Sequence, residues 1–164
     1  MGNYRNTITY RQAAEIYQLT KEFTKKYLHP IRDSRLIDQM NSSARSMKQN
    51  QAEGALRNSL KALIEFLGFA RASGEELLED YLDLAREWKI PISRPSFLYS
   101  SSLSSKSSLS SLSSLSSDLN FLIDLVTRAN YLLDRQRQAL EKHFIEHGGH
   151  SENLANKRRG YRGY

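Results

Sequence analysis

Residues 60–88 read LKALIEFLGFARASGEELLEDYLDLAREW, and this stretch decides the fold. Leu60, Leu63, Leu67, Ala70, Gly74, Leu77, Tyr81, Leu84 and Trp88 recur at alternating steps of three and four. That spacing puts them on one stripe of an α-helix and makes a coiled-coil-like seam of about four heptads. Gly68 and Gly74 are poor helix formers, so their expected use is the close approach of a neighbouring helix. Pro91 is expected to end the element.

Three further helices surround this one. Thr9-Tyr-Arg-Gln12 reads as a capping box that opens a helix running to about Leu28. Its inner face is Ala13, Ile16, Thr20, Phe23 and Tyr27, with Tyr17 alongside. Pro30 stops it, because the residue before a proline avoids helical geometry. Asp33 or Ser34 can cap the next helix, whose seam is Ile37, Met40, Ala44, Met47 and Gln51. Gly54 stands where a left-handed C-terminal cap is expected, and Asn58 or Ser59 opens the long helix described above. After the serine tract, Asp118 is the expected cap of a last helix. Its seam is Leu119, Leu122, Val126, Ala129, Leu133, Gln136, Leu140 and His143, with Asp124 and Arg128 as an i,i+4 pair. Gly148-Gly149 ends it.

These signals predict an all-α fold, an antiparallel up-down-up-down four-helix bundle with a flexible Ser-rich insertion before the last helix. A single domain over 1–164 is expected. Within it, 98–117 is a low-complexity Ser/Leu linker, and 150–164 is a basic, flexible tail without structure until bound. In the linker, leucine recurs every third position, a period that fits neither a helix face nor a strand face.

Composition narrows the function. The 164 residues carry no cysteine, which excludes disulfides, thiolate zinc sites and cysteine nucleophiles. No apolar run approaches the roughly 18 residues of a spanning helix. The start, Met-Gly-Asn-Tyr-Arg, lacks the apolar stretch of a secretory signal. A cytoplasmic location is therefore expected. The net charge of +6 favours anionic partners.

The stretch Gln39–Gly54, through Ala44-Arg-Ser46, Asn50 and Ala52-Glu-Gly54, resembles the bacterial four-helix-bundle proteins encoded in intervening sequences of large-subunit ribosomal RNA genes. Phe69–Leu77 is similar to that family's third helix. Ala129–Gln136, Leu140-Glu-Lys142 and Gly148-Gly149 resemble an extension seen in a four-helix-bundle suffix branch. Gln51, where the family more often has an aliphatic residue, and the Ser/Leu tract depart from the pattern. The resemblance extends to the accessory protein of diversity-generating retroelements. It implies no enzymatic activity and no cofactor. It also implies a ring-forming homo-oligomer, a pentamer being one form, that associates with RNA, DNA or a nucleoprotein such as a reverse transcriptase.

Candidate nucleic-acid contacts are Arg45 and Lys48, three apart and so on one helix face, then Arg57 and Lys61 just beyond. The tail adds Lys157, Arg158, Arg159 and Arg162, interleaved with Tyr161 and Tyr164, a pattern suited to phosphate contact and base stacking. Asn50, Glu53 and Gly54 read as a structural motif that ties the helix end to its neighbours. His143, His147 and His150 are near-neighbours at a helix end, but the metalloprotease order of His and Glu is missing, so no metal is expected. Glu75, Glu76, Glu79, Asp80, Asp83 and Glu87 make half of the third helix acidic. No nucleophile or phosphate loop accompanies them, so no catalytic residue is expected; head-to-tail assembly against Lys21, Lys25 and Lys26 is the other use. The expected function is a non-catalytic oligomeric adaptor bound to RNA, DNA or ribonucleoprotein, and the alternative is a protein–protein scaffold without nucleic-acid affinity.

Overall fold

The computed structural model describes residues 3–93 and 114–162. A short 3-10 turn, Tyr4–Asn6, leads into α1 (Ile8–Tyr27), α2 (Ser34–Leu56), α3 (Leu60–Glu87), α4 (Leu115–His147) and α5 (His150–Arg162). There is no strand among the described residues. The first four helices pack on one another around a shared apolar core.

Contact register gives the helix directions. Thr9 at the start of α1 meets Gln136 late in α4 (2.7 Å), whereas Lys26 at its end meets Asp118 early in α4 (3.0 Å). On α3 and α4, Arg71 bonds Asp134 while Pro91 O accepts from Asn120. On α2 and α3, Ser43 bonds Glu76 while Gly54 lies against Phe66. Each of these pairs runs in opposite directions.

The seam read in α3 is the seam that is buried. Leu67, Ala70, Gly74, Leu77, Tyr81 and Leu84 are all inside. Facing them are Ile16, Leu19 and Phe23 of α1, Met40, Ala44 and Met47 of α2, and Leu119, Leu122, Val126, Ala129 and Leu133 of α4. Burying each of the larger side chains is worth about 1.5–3 kcal/mol. Tyr81 carries a fully buried hydroxyl that needs a partner. It donates to Thr20 Oγ1 (2.9 Å), which donates in turn to Ile16 O (2.7 Å), and Phe23 meets its ring edge-on. A buried phenol without that chain would leave a costly unmade bond.

Several local expectations are corrected by the structure. Thr7, not Thr9, caps α1, accepting from Tyr10 N. Thr9 and Gln12 are one turn further in and buried, so the capping-box reading gives way to an interhelical one. Asp33 occupies the cap position of α2 without capping it; its carboxylate accepts from His29 N and Arg32 instead. Ser59 does cap α3, accepting from Ala62 N. Trp88 closes α3, and Lys89 turns the chain with φ 53°, so a left-handed residue ends the helix two positions before Pro91. Ser114 caps α4, four residues before Asp118. Leu115, Ser116 and Ser117 of the predicted linker are therefore helical; residues 98–113 of it lie outside the described residues.

Gly54 is not a left-handed cap. It sits inside the last turns of α2, and a Cβ there would lie 2.7 Å from Phe66 Cβ. Gly74 lets α3 approach Asn130 of α4 and Met47 of α2; a Cβ would overlap the Asn130 amide and stand 3.1 Å from Met47 Cε. Gly68 has nothing within 4 Å and serves no close approach.

With 33 residues against 20, α4 is about 50 Å long and α1 about 30 Å. Its last turns overhang α1 and run beside the first turn of α3. This is why the predicted seam fades: Leu140 is half-buried and His143 is exposed. Beyond Gly148 (φ 69°), the predicted structureless tail carries α5, whose described side chains are all exposed. With those side chains exposed, α5 adds nothing to the core, and an isolated helix of 13 residues is marginal in water.

The two glycines of α3 make a paired test. Gly74→Ala should cost about 1–3 kcal/mol of unfolding free energy through overpacking. Gly68→Ala should gain up to about 1 kcal/mol from helix propensity. Urea melts of both variants read the contrast, and equal effects would remove the close-approach role from Gly74.

Candidate nucleic-acid interface

The outer face shared by α1 and α2 is basic and aromatic. Tyr17, half-buried at the α1–α2 groove, lies under two ammonium groups: Lys48 Nζ is 4.7 Å and Lys21 Nζ 5.6 Å from its ring centre. A cation over a ring face is held by the ring quadrupole, so both side chains are positioned by the ring, and neither forms an ion pair with an acidic group among the described residues. Arg45 is exposed and lies one turn from Lys48. Lys25, exposed one turn beyond Lys21, extends the charge along α1. A cluster of cations placed around an aromatic ring, all reachable from solvent, suits a phosphate backbone.

The other predicted cations fall elsewhere. Arg57, the residue just past α2, closes on Glu53 of that helix (2.6 Å) and covers the Phe66 ring at 4.9 Å. It is thus half-neutralised and used in packing the α2–α3 turn. Glu53 serves that ion pair, Gly54 the helix contact, and Asn50 is half-buried on the same helix. Lys61 is exposed beside Ile64, Glu141, Phe144 and Ile145, on the overhang of α3 and α4. Lys157, Arg158 and Arg159 are exposed on α5. Tyr161 follows Lys157 by four residues and Arg158 by three, and shares their side of the helix. Arg162 ends α5, and Tyr164 lies outside the described residues.

The structure thus keeps Arg45 with Lys48, separates Arg57 and Lys61 from them, and adds Tyr17 and Lys21. Their i,i+4 spacing on α1 was legible in the sequence; that Lys48 of α2 would share the same ring was not.

The acidic residues of α3 gather on a different side. Glu76, Asp80 and Asp83 lie at steps of four and three. Desolvation raises the Asp80 carboxyl to about 6, and repulsion from Asp83 and Glu76 adds to it. Arg86 pairs with Asp83, and Arg71 with Glu75 and Asp134, so part of this charge is internally balanced. His143 and His147 stack at 4.5 Å, with His147 Nδ1 3.2 Å from His143 O, a helix-end contact. Among the described residues no group of three or more His, Asp, Glu or Cys is placed to hold a metal, and no helix is long and apolar enough to cross a membrane.

A four-helix core carrying a basic–aromatic face defines this chain as a helical-bundle protein with a clustered cationic surface. The chain belongs to the 23S rRNA-intervening sequence protein family, whose model matches residues 6–93. That span holds α1, α2 and α3, with Tyr17, Lys21, Arg45 and Lys48 inside it. No curated protein and no solved structure matches the chain.

The Asp80 shift has a signed consequence. A carboxyl held near 6 when folded and near its ordinary 3.8 when unfolded stabilises the fold fully below about pH 4. That contribution is lost as the pH rises towards 6. Asp80→Asn should remain neutral throughout, so its stability relative to the parent should rise between pH 4 and 6 and then level off. Parallel denaturation curves over that range check it; a constant difference would contradict the shift.

Proposed function

We propose that the protein is a non-catalytic adaptor that associates with RNA, gripping the phosphate backbone through the α1–α2 face. The observation that carries this reading is the Tyr17 ring with Lys21 and Lys48 over it and Arg45 beside it. Membership of a family named for ribosomal RNA intervening sequences supports RNA as the anion. The basic half of α5, with Lys157, Arg158, Arg159 and Arg162, would extend the contact as a second arm joined through Gly148-Gly149. Asn50, Glu53 and Gly54 hold the end of α2 and make no contact with the nucleic acid. A cytoplasmic, oligomeric assembly fits this role, with a ring of subunits as its form and a reverse transcriptase or other nucleoprotein as a candidate protein partner.

A second reading is a protein–protein scaffold without nucleic-acid affinity. The acidic stripe of Glu76, Asp80 and Asp83 favours it, since a basic face and an acidic one on the same chain can meet head to tail.

Fluorescence anisotropy of a labelled structured RNA across a salt series separates the two. The adaptor reading expects micromolar or tighter binding whose logarithm falls steeply with log salt. Arg45→Ala with Lys48→Ala should weaken binding to all sequences and reduce the slope by roughly one per lost phosphate contact. Deleting 156–164 should reduce it further; unchanged affinity would remove α5 from the interface. A protein that assembles yet binds no RNA at low salt would favour the scaffold.

A further inference from the structure

At the end of the bundle where α1 begins lies a cavity of about 210 Å³ that the phosphate-binding face does not use. It opens between the 3-10 turn, α1, α2, α3 and α4. Tyr4 and Tyr10 stand on one side, their rings 5.0 Å apart and nearly perpendicular. Leu63 and Leu67 of α3 supply apolar wall. Thr7, Ala55 and two amide side chains, Gln51 and Gln136, complete the lining.

The amides are half-committed in complementary ways. Gln136 accepts from Thr9 Oγ1 through its carbonyl oxygen (2.7 Å), which leaves its –NH2 group to donate elsewhere. Gln51 donates to Met47 O through its nitrogen (3.1 Å), which leaves its carbonyl oxygen to accept. The cavity therefore offers flat aromatic and apolar surface together with one donor group and one acceptor on its wall. Cations stand next to it: the Arg5 guanidinium lies 5.7 Å from the Tyr4 ring centre, and Arg11 reaches back to Asn6 O across the same corner.

We infer that this cavity receives one unpaired base of a bound RNA strand, with Arg5 and Arg11 meeting the adjoining phosphates. Size fits one ring system, since pockets for whole drug-sized ligands run from about 300 to 1,000 Å³. A base presents two apolar faces and a polar edge of donors and acceptors, which is the complement of two tyrosines and two oppositely committed amides. An apolar side chain from a protein partner would fill the space but leave both amide groups unsatisfied, a desolvation cost that the base avoids. The inference rests on the RNA reading above, and it adds that single-stranded RNA is preferred over a bare phosphate chain.

The test uses the full chain and two labelled strands of equal length and charge: oligoadenylate, and the corresponding abasic ribose-phosphate oligomer. The parent protein should bind oligoadenylate about tenfold or more tighter, the scale of one base stacked on an aromatic group. Ala55→Phe, which places a ring into the cavity, should cancel most of that advantage. Tyr4→Ala should cut it severalfold, and because Tyr4 lies on the 3-10 turn outside the core, this variant carries the test if Ala55→Phe does not fold. Affinity for the abasic strand and its salt slope should stay the same in Ala55→Phe; in Tyr4→Ala, where the Arg5 guanidinium loses the ring beside it, the readout is the ratio of the two strands' affinities, in which a shared phosphate contribution cancels. Equal affinity of the parent for the two strands would overturn the base pocket and leave the phosphate face standing. So would an advantage that survives both variants. Failure to bind either strand would overturn both the pocket and the RNA reading.

Discussion

Among the described glycines the tightest fit is at Gly74, and the packing of three helices depends on it. The absence of a side chain there lets the Asn130 amide of α4 and Met47 of α2 close on the α3 backbone. Asn130 is itself buried, and its nitrogen donates to Glu75 one residue along α3. Arg71 then joins Glu75 to Asp134, one turn further along α4. A small residue thus sets the spacing, and a polar ladder beside it sets the register between α3 and α4. Interiors are close-packed, so a shift at this point would be felt at every layer above and below it.

Around that constraint the α1–α4 side is unusually polar for a bundle interior. Asp118 is fully buried, accepting from Tyr27 Oη (2.7 Å) and pairing with Lys26. Arg128, also buried, pairs with Asp124 of its own helix, and Glu15 of α1 is held above the usual carboxylate range by burial, with Arg128 opposing. Buried ions of this kind add little net stability, because desolvation offsets attraction, but losing one partner strands the other. They restrict how α1 can slide along α4: Lys26 and Tyr27 must stay at Asp118 while Thr9 stays at Gln136.

The same geometry distributes charge. Cations collect where α1 meets α2 because Tyr17, at the rim of the core, offers Lys21 and Lys48 a ring to cover. Carboxylates collect along α3 on the other side of α2, where three of them crowd one stripe and raise the Asp80 carboxyl. A chain of net charge +6 thereby presents two faces of opposite sign rather than a uniform basic surface.

The sequence by itself determined the four core helices and most of the apolar residues that line them. Period-3.5 patterning is a local property, so Leu67, Ala70, Leu77, Tyr81 and Leu84 could be named as a buried seam without knowing what covers them. Arg45 and Lys48 could be placed on one face for the same reason. Only the tertiary structure decided what depends on a second helix. It chose Gly74 over Gly68 for the close approach and moved Gly54 from a turn to a contact. It brought Asp118 inside and added Tyr17 and Lys21 to the basic face, while setting Arg57 and Lys61 apart. A residue's neighbours along a helix are fixed by spacing, but its neighbours across a groove are fixed by how two helices cross, which no single segment encodes.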